Sequence, residues 1–269
     1  MAKWCWILAT IAAIVVAGCS TQKPRKRSIL DTPQPGEEVL EEPETFSPED
    51  HFDLGMLYYS GGKFKEAEGQ FMMALRDRPG YPDALTGLGY VYNFKGYMEI
   101  QAGKAREAIE LHEKAVASFL KAMEKDPKQV EALIGLSMVN FDEYQYFTPH
   151  RDEYRIRALG YLDKAKLIAP GDRVVQANIG FHEARLMLAE SPQQGARSAV
   201  PLLREVVACE GVDAMTRIQA HHMLAGCLYV TGDKEGAIEY YRKYLEVFPG
   251  APDAEETTAL IADIQSQLP

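Results

Sequence analysis

Between residues 48 and 81 the chain sets Leu54-Gly55, Tyr58, Ala67, Phe71, Ala74 and Pro79 in an order that then returns. The pattern restarts at Pro82 with Leu85, Leu88-Gly89 and Tyr92. It resumes with Ala115, Phe119, Ala122 and Pro127, fourteen residues later than an uninterrupted unit would place them. Such self-similarity constrains the fold more than any local propensity, because one short unit cannot bury its apolar face alone and must stack on copies of itself. Within each unit a leucine and a tyrosine suit the face toward a neighbouring helix, small residues let backbones approach, and a proline marks where a helix stops.

A third unit begins near Val130 with Leu133 and Leu136, then Ala158, Leu162, Ala165 and Pro170, and its inserted segment includes Tyr144 to His150. A fourth is weaker, with Ile179-Gly180, Ala199 and Leu203. A fifth is unbroken, with Leu224, Ala225, Leu228, Gly232-Asp233, Ala237, Tyr241 and Pro249. These spacings resemble the tetratricopeptide repeat, two antiparallel helices in 34 residues, with His51 where the repeat has tryptophan. The resemblance implies an all-α, right-handed superhelical solenoid of about five helix pairs, spanning 48–81, 82–129, 130–172, 173–214 and 218–251. The second and third pairs carry insertions and the fourth is degenerate. The first insertion, Tyr97 to Leu111, predicts a lengthened helix pair. Residues 252–269 follow as a capping helix, with Leu260, Ile261, Ile264 and Leu268 on one face.

The N-terminus reads as an address. Lys3 precedes an apolar run from Trp4 to Ala17, about 21 Å long as a helix against a hydrocarbon core of about 30 Å. The run closes in Val16-Ala17-Gly18-Cys19, which resembles the lipobox of bacterial lipoproteins. That resemblance implies removal of residues 1–18 as a signal peptide and acylation of Cys19. Ser20, in place of a retention aspartate, implies sorting to the outer membrane, facing the periplasm. Residues 19–46 carry Pro24, Pro33, Pro35, Pro43, a basic cluster from Lys23 to Arg27 and then Glu37, Glu38, Glu41 and Glu42, the composition of a flexible linker.

In tetratricopeptide domains the first helices line a concave groove through their second, fifth, ninth, twelfth and thirteenth positions. Carried over, these are Phe52, Met56 and Tyr59 in the first unit and Thr86, Tyr90, Asn93 and Phe94 in the second. They are Ile134, Met138 and Phe141 in the third, Phe181 and Arg185 in the fourth, and His222 and Tyr229 in the fifth. Aromatics and methionine suit a peptide with apolar anchors. They do not suit the acidic chaperone tails that other such domains grip with basic residues and asparagine. The segment Tyr144 to Phe147 either covers this groove or extends it.

Chemistry is not signalled. His112-Glu113 and His182-Glu183 lack the second histidine of a zinc-protease helix, and Gly62-Lys63 and Gly103-Lys104 lack the serine or threonine of a phosphate loop. Gly87-Leu88-Gly89 lacks the third glycine of a dinucleotide site and serves close helix packing. Adjacent His221 and His222 point about 100° apart on a helix, so no metal is expected. Cys209 and Cys227 are expected as buried, reduced thiols. A formal net charge of -10 disfavours nucleic acid.

The expectation is therefore a lipid-anchored envelope scaffold, without cofactor or catalysis, that binds envelope proteins or peptides. Two lipoprotein families share this plan: the helical-repeat subunit of the outer-membrane β-barrel assembly machinery, and the pilotins of type IV pili, whose compact repeat lacks these long insertions. The alternative is a periplasmic small-ligand or lipid-binding component of a transport system, which a closed cavity beneath the insertions would favour.

Overall fold

The computed structural model describes residues 46–147 and 150–268. Cys19, the leader before it and residues 20–45 of the linker lie outside the described residues, as do Thr148, Pro149 and Pro269. Eleven helices and no strand are present among the described residues. They are α1 (Pro48–Ser60), α2 (Phe64–Asp77), α3 (Pro82–Gln101), α4 (Ala105–Lys125), α5 (Val130–Tyr146), α6 (Arg151–Ile168), α7 (Arg173–Glu190), α8 (Pro192–Ala208), α9 (Ala214–Thr231), α10 (Lys234–Val247) and α11 (Ala254–Ser266). Each odd-numbered helix up to α9 packs on its successor as a pair, and each pair packs chiefly on the next. None of the described helices is long and apolar enough to cross a membrane.

The stack opens cleanly. Ser47 accepts from the Asp50 amide at 3.1 Å and its own amide donates to the Asp50 carboxylate at 2.8 Å, so α1 starts with two of its exposed donors satisfied. His51 replaces the missing tryptophan with polar contacts: it is buried, with Nδ1 2.7 Å from Gln70 Oε1 and Nε2 3.7 Å from Asp77.

Two phenylalanines key the first three pairs together. Phe71 of α2 is wholly buried between Gly55 of its own pair and Gly87 of the next, where an added Cβ would come within 2.5 and 2.6 Å of its ring. Phe119 of α4 repeats the arrangement between Gly89 and Gly135, with corresponding distances of 2.4 and 2.3 Å. An aromatic ring thus fills the space that two missing side chains leave, and the packing density of the interior depends on that match.

The first insertion is absorbed by lengthening. Helices α3 and α4 run 20 and 21 residues, against 13 and 14 for α1 and α2, so the fourteen extra residues divide equally between the two. Gly103 turns the chain between them at φ +75°, a conformation that side chains resist. In the third pair α5 runs through Tyr146, so Tyr144 to Tyr146 of the inserted segment are helical. Only Ser191 separates α7 from α8, and a Cβ on Gly195 would lie 2.1 Å from the Met187 carbonyl oxygen, which explains why the fourth unit departs from the pattern. Helix α11 closes the stack by burying Ile261 and Ile264, with Leu260 and Leu268 packed beside them.

Candidate partner-binding groove

The first helices of successive pairs, α1, α3, α5, α7 and α9, touch one another in order and so form one continuous surface. A row of rings runs along it. The Tyr59 ring lies 6.1 Å from Tyr90 and 5.5 Å from Phe64, and Phe64 stacks on Phe94 at 4.0 Å. Phe94 leads to Tyr97 at 6.5 Å, and Tyr97 to Tyr146 at 6.3 Å. The Tyr90 hydroxyl donates to the Glu131 carbonyl at 2.8 Å, which ties the second pair to the third. Burial raises the hydroxyls of Tyr59 and Tyr90 well above the ordinary tyrosine range, and the carboxylate of Asp213 adds to both. Asp213 itself caps α9, accepting from the Thr216 amide at 3.0 Å.

The far end of the row is polar. The Arg185 guanidinium carbon sits 4.3 Å over the Phe141 ring and 5.9 Å from Phe181, a cation on an aromatic bed. Its Nη1 is 3.5 Å from His182 Nδ1. Burial, with the Arg185 charge beside it, pulls His182 down to about 3 and keeps the imidazole neutral. Asn93 donates to the Asp142 carboxylate at 3.4 Å. Asp142 is only 5% exposed, and burial pushes it up to about 6 against the attraction of Arg185 and His112.

Because its pKa is raised on folding, Asp142 contributes stability that is complete below about pH 4 and is lost as pH rises through about 6. Asp142→Asn is therefore expected to be more stable than the natural chain at pH 8 by about 2–3 kcal/mol. The difference should shrink toward pH 4, as read by urea unfolding at several pH values.

Not every expected groove residue belongs to the open surface. Tyr59, Tyr90, Phe94, Met138, Arg185 and Tyr229 are partly exposed along it. Phe52 and Met56 are partly exposed too and, like Tyr59, pack against the core of the first pair, with the Phe52 ring 5.9 Å from both Phe71 and Tyr81. Thr86, Asn93, Ile134, Phe141 and Phe181 are buried beneath the surface. His222 turns away altogether: it is buried with Nε2 3.4 Å from Asp253, under Tyr244, whose hydroxyl donates to the same carboxylate at 2.6 Å. Where the repeat pattern has a small alanine, the fifth unit has Tyr244, and that bulk with the turn into α11 covers the position.

Conversely, Phe64 and Tyr97 join the row without being among the expected groove residues, and Asp142 lies buried beneath it beside Asn93. Tyr146 extends the row and does not close over it, its hydroxyl accepting from Gln101 at 2.9 Å. Tyr144 is buried, with the Arg151 guanidinium carbon 4.4 Å over its ring. Cys209 and Cys227 are both buried and unbridged, and burial pushes the Cys227 thiol up to about 12. Among the described residues no group of three His, Cys, Asp or Glu side chains is arranged to hold a metal.

Residues 195–252, from α8 past α10, match the tetratricopeptide repeat family. A thermophilic tetratricopeptide protein of Thermus thermophilus superposes with a TM-score of 0.58 at 19% identity, over 81% of this chain and 99% of that one. The fold is a tetratricopeptide-type solenoid. PilW, a type IV pilus biogenesis factor, gives a TM-score of 0.47 at 17% identity, over 82% of this chain and 91% of its own. No curated protein matches the sequence significantly. In this tetratricopeptide frame the aromatic row lies on the first helices of the first three pairs, with Phe64 added from the start of α2, and the Phe71 and Phe119 keys come from second helices.

Proposed function

We propose that the protein is a non-catalytic scaffold of the bacterial envelope, held by lipid on Cys19 at the outer membrane and facing the periplasm, whose concave groove binds protein or peptide partners. The observation that carries this reading is the unbroken run of rings from Tyr59 through Phe64, Phe94 and Tyr97 to Tyr146, with Arg185 on its own aromatic bed in the adjoining pair. Half-exposed aromatics and an arginine are the side chains that most often dominate binding energy at interfaces. A binding partner that lays apolar side chains along the row meets preset rings that lose little conformational entropy on contact.

The test is affinity capture from crosslinked cells with the natural protein and a Tyr59→Ala, Tyr90→Ala, Phe94→Ala variant. A defined set of envelope proteins should be recovered by the first and reduced at least tenfold with the second. Equal recovery by both would remove the groove from the account. The small-ligand alternative asks for an enclosed cavity. The hollows of about 410 and 700 Å³ between the helices are both open to solvent, which favours the scaffold.

A further inference from the structure

The two insertions meet in the groove row, where the Tyr97 ring lies 6.3 Å from Tyr146, and they meet again on another face of the stack. A cleft of about 700 Å³ lies between α4 and α6 with α5 as its floor. One wall is the stripe Ile109, Glu113, Val116 and Leu120 of α4, at spacings of i, i+4, i+7 and i+11, and its first member comes from the first insertion. The other wall is Tyr154, Arg157 and Tyr161 of α6, at i, i+3 and i+7, and Phe147 closes one end from the second insertion. The floor residues Leu136, Asn140 and Glu143 each lie two positions on from Ile134, Met138 and Phe141, about 200° round the helix, so the cleft opens on the side away from the concave groove.

Residues at helical spacing on α4 and α6 thus face one another across an open cleft floored by α5. The α4 stripe spans about 16 Å, the length of roughly eleven helical residues. Ile109 and Leu120, at its two ends, are 42% and 49% exposed, so each leaves aliphatic surface uncovered at the rim of the hollow. The charges are divided between the walls. Glu113 on α4 makes no ion pair among the described residues, and Glu143 stands beside it on the floor. On the opposite wall Arg157 reaches Glu153 at 3.5 Å.

We propose that this cleft is a second docking surface, separate from the concave groove, that seats an amphipathic helix of a protein partner. The helix presents apolar residues to the α4 and α6 walls and a basic residue toward Glu113. Ridges packing into grooves hold it, as between helices of one chain. Besides lengthening the aromatic row, the insertions then extend this cleft, with Ile109 at one end of the α4 wall and Phe147 at the rim.

The probe is a dye-labelled synthetic peptide of fourteen residues, leucine at helical i, i+3, i+4 and i+7 spacing and lysine along its flanks, with a scrambled peptide of the same composition as control. Fluorescence anisotropy should show the patterned peptide binding at least tenfold more tightly than the scrambled one. Ile109→Ser with Leu120→Ser should remove at least tenfold of that affinity with an unchanged circular dichroism spectrum, and Glu113→Lys should weaken it further. The Tyr59, Tyr90 and Phe94 variant should bind the peptide normally, so loss of the groove reading leaves this one standing. Equal binding of the two peptides, or indifference to the serine changes, would overturn the proposal. So would self-association in sedimentation that the serine changes abolish, which would give the cleft to a second copy of this chain.

Discussion

Replacing Cys19 by alanine is expected to move the protein from the membrane fraction to the soluble periplasmic fraction almost completely. Burying an acyl chain contributes about 0.8 kcal/mol per methylene, and one chain alone gives only marginal, reversible binding. A diacylglycerol on the thiol together with an acylated amine crosses from marginal to persistent, so the effect of removing the thiol is close to all or none. The apolar run from Trp4 to Ala17 does not replace it, because a helix of that length falls short of the hydrocarbon core by about 9 Å. Intact mass spectrometry of the natural chain should find a species beginning at Cys19 with three acyl chains. An unprocessed chain retained in the membrane after Cys19→Ala would instead make the run an anchor in its own right. The groove test depends on this one: a scaffold released from the membrane still folds but meets its partners at a much lower effective concentration.

The helix pairs were legible because each rests on a local rule that a neighbour cannot override. Phe71 and Phe119 stand one turn from small residues at fixed spacing, and the glycines that receive them are themselves part of the pattern. The groove was less legible. Periodicity gives the direction in which a side chain leaves its helix, but not the size of what it meets. Phe52 points where the pattern says and is drawn into the Phe71 core, while His222 is covered by Tyr244, whose bulk is unusual at its position. Tyr97 and Tyr146 come from lengthened helix ends that the repeat frame does not number. Asp142 is different: it is the thirteenth residue of its unit and could have been read beside Phe141, but a lone acid among aromatics carries no pattern, and only burial marks it.

Phe119→Ala is expected to cost about 3–5 kcal/mol, near the upper end for a core truncation, because the residue is completely buried and its ring is the contact between two pairs. Surroundings that collapse would soften the loss. Here two of the facing positions, Gly89 and Gly135, have no side chains to move inward, which limits that collapse. In a solenoid stability is the sum of unit and interface terms, so the loss falls on the junction of the second and third pairs, and urea unfolding should separate into two transitions. The same geometry yields a reversal of sign. In the natural chain Gly89→Ala or Gly135→Ala drives a Cβ to within 2.4 or 2.3 Å of the ring and should destabilise. Once the ring is gone, each new methyl fills part of the vacancy and gains about 1 kcal/mol of helix preference over glycine. The triple variant Phe119→Ala, Gly89→Ala, Gly135→Ala should therefore be more stable than Phe119→Ala alone. If the glycine changes destabilise by the same amount in both backgrounds, the ring is not what those glycines accommodate, and the keying of one pair to the next has another origin.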